Sequence, residues 1–147
     1  MATDQTDPAL PAGVHDFFGV HVPFLAWLDV TGVEWRPGEA RVELRLRPEL
    51  HNSLRAAHGG VVCTVLDVAM AAAARSSDAA LRVVTVDMSV QFMRPGVGTL
   101  VAIGRALTIT RSLAFCEAEI RDAGGELVAK SSGVFKRITP ARGDGDG

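Results

Sequence analysis

The chain has 147 residues, of which 48% are apolar, and a formal net charge of -2, which suits one domain with a sizeable core. No apolar run approaches the ~20 residues of a membrane span, and the small negative charge gives no electrostatic case for nucleic acid or an anionic membrane surface. The two cysteines, Cys63 and Cys116, lie in apolar segments without metal-type spacing, so buried free thiols in a reducing cytosol are expected.

In chain order, residues 1 to about 13 (MATDQTDPALPAG) are polar and contain proline, and disorder is expected there. This start is acidic where a signal peptide would be basic and then apolar, so a cytoplasmic protein is expected. Between Val14 and Val30 stand Phe17, Phe18, Phe24, Leu25, Trp27 and Leu28. They predict a short helix or turn, broken near Pro23, that lays aromatic rings over the core. GVEWRPGEARVELRLR reads as a hairpin turning at Pro37-Gly38. Val42, Leu44 and Leu46 should face inward, with Arg41, Glu43 and Arg45 outward.

PELHNSLRAA is a loop leading to the stretch His58 to Arg75, HGGVVCTVLDVAMAAAAR. From Gly59 to Ala74 that stretch is almost wholly apolar or small, the pattern of a helix buried on most sides. Four strand-like runs follow: RVVTVDMSVQF, TLVAIGRALTI, SLAFCEAEIRD and ELVAKSSGVFKRI. Turn residues at Pro95-Gly96, Arg111-Ser112 and Gly124-Gly125 punctuate them. The tail from Thr139 (TPARGDGDG) is expected to be disordered, which leaves residues 14–138 as a single domain. Two strands, one long helix and four strands make an α+β chain. A strongly curved antiparallel sheet wrapped around the helix is the simplest cover, with the rest of the helix meeting a second subunit.

Two features of the helix do not suit a plain core element. It opens on Gly59 and Gly60, among the weakest helix formers, and it carries one charge, Asp67, at its middle. A carboxylate in apolar surroundings needs a partner or a shifted pKa. Unpaired amides at a helix start carry the positive end of the dipole, and glycine lets a ligand carbonyl approach them. Asp67 could then be a base or nucleophile acting beside an oxyanion site. At about 1.5 Å per residue, however, Asp67 lies roughly 10–13 Å from the first amides. Reacting groups must come within about 3–3.5 Å, so the amides and the acid would come from different subunits, as two antiparallel helices about a twofold provide. A stripe of small residues (Gly60, Cys63, Thr64, Asp67, Ala71, Ala74) at three- and four-residue spacing would allow that approach.

NSLRAAHGGVVCTVLD, then TVDMSVQFMRPG, SLAFCEAEIRD and GVFK, resembles the hotdog-fold acyl-CoA thioesterases of the PaaI-like type (phenylacetate degradation, thioesterase superfamily member 2). The likeness runs from about Trp35 to Ile138. It implies a hotdog fold, with Asp67 as the catalytic carboxylate that activates water or attacks the thioester. The Gly59 amide would polarise the thioester carbonyl. His58 and Asn52 would orient the site and leaving group, and Thr85 would position water near the carboxylate of its own subunit. The resemblance also implies homodimers that share one continuous sheet, often paired into tetramers. No cofactor is implied, coenzyme A being part of the substrate. The coenzyme would lie across a subunit interface near Phe92 to Val97 and Thr108 to Leu113, with Gly60 and Ser112 as substrate-binding residues. Arg94, Arg111 and Lys136 are candidates for its phosphates. Phe24, Trp27 and Phe92 suit aromatic or aliphatic acyl chains, and the segment before the first strand could be a lid over one.

Two departures stand out. A glycine that the family commonly has between the Asn and the His is replaced by Arg55 or Ala56. Thr85 falls on the polar face of its strand with Asp87 and Ser89, opposite Val84, Val86, Met88 and Phe92, so the strand must bend for Thr85 to reach Asp67.

Blander readings compete. Asp67 could be a structural carboxylate bonded to backbone or to Thr64, His58 a helix-entry residue, and Asn52 a turn former. His51 reads as loop, and His15 and His21 as solvated or packing residues. No His, Cys and carboxylate cluster supports a metal site, and Cys63 has no cationic neighbour to activate it. Among functions, a thioester hydrolase leads. A non-catalytic acyl-CoA-binding module would not need Asp67, and a hydratase or dehydratase would need a His and acid pair acting on the acyl carbons.

Overall fold

The computed structural model describes residues 14–140; the expectations for residues 1–13 and 141–147 fall outside them. Thr139 and Pro140 are exposed and have no regular structure. The elements are α1 (Pro23–Leu28), β1 (Thr31–Arg36), β2 (Glu39–Arg45), a 3-10 turn (Pro48–Leu50), α2 (Gly59–Ala74), β3 (Arg82–Phe92), β4 (Thr99–Ile109), β5 (Leu113–Arg121) and β6 (Leu127–Ile138). The six strands form one sheet in the order β1-β2-β4-β5-β6-β3, with every neighbouring pair antiparallel. Helix α2 packs against all six strands. This is the α+β arrangement that the sequence predicts.

Alternation explains which face of the sheet is covered. Val42 and Leu44 on β2, Leu100 and Ala102 on β4, Ala118 and Ile120 on β5, and Phe135 on β6 are buried beneath the helix. Arg45 and Lys136 are exposed on the other face. The helix contributes Val62, Val65, Leu66, Ala69, Met70 and Ala72 to this core. Each fully buried Leu or Met contributes about 1.5–3 kcal/mol relative to exposure. Gly104 sets how close the two layers come: a Cβ there would lie 2.2 Å from the Ala69 carbonyl oxygen.

Strand β3 lies at a sheet edge and is irregular. Its pairing with β6 runs in register to Thr85, opposite Phe135, and resumes at Asp87, opposite Val134. The extra residue is a β-bulge, which reverses the phase of side chains along the strand. Val83 before it, and Met88 and Val90 after it, pack against the core. This corrects the expectation that Val84 and Val86 share a face with Met88. They are 51% and 60% exposed.

The N-terminal segment also differs from its reading. Pro23 opens α1 instead of breaking it, because the ring's fixed φ and missing N–H are harmless in a first helical turn. Phe17, Leu25 and Leu28 enter the core. Phe24 and Trp27, expected over the core, are 55% and 62% exposed, since one short amphipathic turn buries only one face. Arg47 secures this turn by donating to the Leu28 and Trp27 carbonyls and stacking over the Trp27 ring. Leu46, expected inside, is only half-buried at the strand end. Of the small-residue stripe, Gly60 is exposed, Cys63, Thr64, Asp67 and Ala71 are half-buried, and Ala74 belongs to the core. The stripe drifts into the core there because 3.6 residues per turn does not hold a 3.5-residue spacing. Cys116 is buried but Cys63 is not.

Candidate active site

The site candidates gather on α2 and the loop before it. Asn52 builds that loop. Its Oδ1 accepts from the Leu54 and Ala56 amides at 2.9 and 3.1 Å, while its own amide donates to the Ala56 carbonyl at 2.8 Å. The turn-forming reading of Asn52 is therefore real, and the side-chain amide nitrogen is what remains for a ligand. Arg55 sits in the left-handed region with φ 61°, a conformation that glycine adopts without cost and other residues do not. Of the two residues that stand where the family glycine is expected, Arg55 and Ala56, only Arg55 has a positive φ. The loop is then tied down by Ala57 N–H to the Gly96 carbonyl and His58 N–H to the Leu50 carbonyl, both 2.9 Å.

His58 is the N-cap of α2, and its Nδ1 accepts from the Gly60 amide at 2.9 Å. With Nδ1 accepting, the neutral ring is assigned its proton on Nε2, which is left free to donate. A Cβ on Gly60 would lie 3.1 Å from that Nδ1, so glycine makes room for the cap. Gly60 thus spends its amide on His58. The Gly59 amide has no acceptor among the described residues. A Cβ on Gly59 would only touch the Phe92 ring at 3.6 Å. Packing inside the protomer does not demand glycine there, whereas close approach of a ligand to a bare amide would.

Asp67 is half-buried at the middle of α2. Thr85 donates to its Oδ1 at 2.7 Å, and the bulge that follows Thr85 supplies the irregularity this contact needs. Burial pushes the Asp67 carboxyl above its ordinary range, partly offset by the Thr85 hydrogen bond. Thr64, the structural partner considered for Asp67, instead donates to the Gly60 carbonyl at 2.9 Å. Burial and the nearby Asp67 both raise the Cys63 thiol, and burial takes Cys116 to about 11, so neither is primed as a thiolate. Among the described residues no three His, Cys, Asp or Glu side chains cluster as a metal site would require.

The cation candidates do not converge within one protomer. Arg94 follows β3, pairs with Glu126 at 3.3 Å, and donates through its amide to the Val128 carbonyl at the start of β6. It lines a groove of ≈ 310 Å³ that includes Asn52, Gly59, Phe92 and Met93. Lys136 pairs with Leu113 near the other end of β6, beside Arg111 and Ser112, whose carbonyl accepts from the Arg137 amide at 2.7 Å. About eight residues of strand at roughly 3.3 Å each separate the two groups, or some 26 Å. The two groups lie toward opposite ends of β6.

A second groove, of ≈ 330 Å³, lies on the far side of the helix start, lined by Phe24, Trp27, His58, Gly60 and Thr64. A third, of ≈ 290 Å³, lies between Val20, Val22 and Leu25 of the N-terminal segment and Val68 and Ala71 of α2. Sequence reading missed the third. Its signal was present, since Val68 and Ala71 are apolar, follow Asp67 on the outer side of the helix, and stay half-buried in the protomer.

Comparison with known proteins adds an independent line. A family model described as the thioesterase superfamily matches residues 55–129, spanning His58, Gly59, Asp67 and Thr85 but not Asn52 or Lys136. A protein of Saccharolobus solfataricus, provisionally named an esterase, is 29% identical over 110 residues, covering 74% of this chain and 79% of its own length. A conserved protein of Pseudomonas aeruginosa superposes with TM-score 0.76 at 28% identity, covering 80% of this chain and 94% of its own. The PaaI protein of the E. coli phenylacetic acid degradation operon superposes with TM-score 0.74 at 24% identity, over 80% of this chain and 86% of its own; at that identity the likeness speaks for the fold.

Proposed function

The chain belongs to the thioesterase superfamily and has its hotdog fold, and from that premise we propose that it hydrolyses an acyl-CoA thioester to a free acid and coenzyme A. One observation carries the proposal. The half-buried Asp67, held by Thr85, stands on the same helix as the uncommitted Gly59 amide, about 12 Å away by helical rise. That distance is too long for one carbonyl and is bridged when two helices run antiparallel across a twofold. The exposed edge strand β3, with Val84 and Val86 outward, offers the surface for such a pairing. The assembly we propose is therefore a homodimer with two sites.

In each site the thioester carbonyl oxygen accepts from the Gly59 amide of one subunit, at the positive end of its helix. Asp67 of the other subunit takes a proton from water as the hydroxide adds to the carbonyl carbon, or adds itself to give an anhydride that water then opens. Either way the carbon–sulfur bond breaks, the thiolate leaves and is protonated, and one water is consumed. The Nε2–H of His58 and the side-chain amide of Asn52 orient the thioester and its leaving group. The pantetheine arm runs along the groove of Gly59, Phe92 and Met93, with Arg94 at one end and Arg111, Ser112 and Lys136 of a neighbouring subunit as phosphate partners. Such chemistry requires no resident cofactor.

The test is thiol release from a panel of acyl-CoAs by the wild type and Asp67→Asn. Turnover that falls by at least about 100-fold in the variant, with the dimer intact, supports the assignment. Wild-type rates in Asp67→Asn would remove Asp67 from the chemistry. Acyl-CoA binding without any thiol release would favour a carrier or sensor.

A further inference from the structure

We propose that Arg55, in the loop before α2, is a specificity-determining residue that holds a phosphate of the coenzyme, so that this chain favours a phosphate-bearing thioester over a bare pantetheine one. This rests on the thioesterase reading and deepens it. Three observations meet at Arg55. The first is conformational. Asn52 fixes the loop by accepting from the Leu54 and Ala56 amides, and the Arg55 amide donates to the Asn52 carbonyl at 3.1 Å. That closure leaves Arg55 at φ 61°, which glycine adopts freely and a residue with a side chain does not. The hydrogen bonds of the loop are made by backbone and by Asn52, so none of them calls for arginine. A disfavoured backbone carried by a long cationic residue points to a use for its side chain outside the loop.

The second is place. His51 and Ala57 pair at the base of the loop, and the Ala57 amide fastens it to the Gly96 carbonyl, two residues beyond Arg94. Asn52 and Ala57, the two ends of the loop, line the groove assigned to the pantetheine arm. Ser53, Leu54 and Arg55 lie between those wall residues and are exposed. The third is charge. On the segments that border the groove (52–59, 92–96 and Val128) the permanent charges are Arg55 and Arg94. Arg94 is offset by Glu126 at 3.3 Å, whereas the Arg55 guanidinium has no hydrogen bond or ion pair among the described residues. Arg55 is thus the uncompensated cation beside this groove. Its planar fork of donors matches a phosphate in a bidentate contact, and no acid competes for it.

The experiment is calorimetry with S-hexyl coenzyme A and S-hexyl pantetheine, which share the thioether and the arm but not the phosphates, on the wild type, Arg55→Gly, Arg55→Asn and Arg55→Lys. Gly and Asn both accept a left-handed φ, so these variants keep the loop and lose the charge. Both should bind S-hexyl coenzyme A roughly 5-fold or more weakly than the wild type, and the gap should shrink as salt is added. Arg55→Lys should recover part of the affinity, and S-hexyl pantetheine should bind all four proteins alike. In turnover of hexanoyl-CoA, Arg55→Gly and Arg55→Asn should raise KM more than they lower kcat. Equal affinity of the wild type and these two variants for S-hexyl coenzyme A overturns the inference. So does an equal loss on both thioethers, which would mean that Arg55 acts through the loop, or a wild type that does not prefer the phosphate-bearing thioether. Each of these results leaves the thioesterase reading standing where the wild type releases thiol. If it releases none from any acyl-CoA, that reading fails, and the thioethers still decide Arg55: a phosphate-dependent loss in the variants supports its role, and no such loss overturns it.

Discussion

The two ends of α2 have opposite designs. At its C-terminal end the carbonyls of Ala71, Ala72 and Ala73 all accept hydrogen bonds. Ala72 accepts from the Trp35 indole at 2.9 Å, Ala73 from the Ser76 hydroxyl at 2.7 Å, and Ala71 from the Arg75 amide at 3.2 Å. Arg75, a cation at the negative end of the dipole, is itself buried against Trp35. At the N-terminal end one amide is capped by His58, the neighbouring Gly59 amide is left bare, and two glycines stand where good helix formers would be stronger. One end holds the helix, and the other leaves an amide for the ligand proposed above. Strength forgone at a helix start is a stronger sign of ligand binding than any single residue there.

The contrast can be broken at either end. The largest effect expected is at the acid served by the open end. Asp67→Asn should lower turnover by orders of magnitude and yet not weaken the fold. Burial raises the Asp67 pKa above its ordinary 3.8, so the protonated form suits the fold and ionisation opposes it. The stabilising term is fully present below the unfolded pKa and is lost as pH rises through the raised folded value. Asp67→Asn should therefore match or exceed the wild type in stability at neutral pH, with the gap closing in acid. Urea melts at several pH values measure this, and a variant markedly less stable than wild type at neutral pH would contradict it.

At the closed end, Arg75→Leu orphans three carbonyls and removes the stack on Trp35. A loss of about 2–4 kcal/mol is expected in denaturant melts, with kcat per folded molecule retained. A large kcat loss at unchanged stability would dissolve the distinction between the two ends.

Thr85→Val is subtler. The Thr85 hydrogen bond lowers the Asp67 pKa against the effect of burial, so its removal should move the acidic limb of the kcat/KM profile to higher pH, where an unmoved limb would mean that Thr85 serves only packing. Smallest of all is Arg55→Gly. Relief of the left-handed φ, set against glycine's greater freedom in the unfolded chain, should change stability by less than about 1 kcal/mol, in the stabilising direction.

Much of this was legible beforehand because it is local. The hairpin at Pro37-Gly38 turns where expected, with Gly38 at φ 82°. The four late strands fall within a residue of their apolar runs, and α2 spans Gly59 to Ala74. The pair of glycines and the lone acid single out the candidate residues without any coordinates. What misled was phase. Side-chain direction on β3 depends on one inserted residue at the bulge, and no propensity signals which residue that is. Pro23 reads in sequence as a breaker, though the same ring serves as an opener when the chain turns immediately before it.

The chain by itself thus determined the class of fold, the order of its elements, and the few candidate residues on a buried helix. Periodicity and residue type act over distances of a few positions, and those are printed in the sequence. Tertiary structure alone decided that Asn52 spends its oxygen on a turn, that His58 takes the Gly60 amide and leaves Gly59 free, and that a bulge brings Thr85 to Asp67. It also opened a groove along α2 from segments some fifty residues apart. These are matters of which donor reaches which acceptor first, and only the packed chain settles that competition.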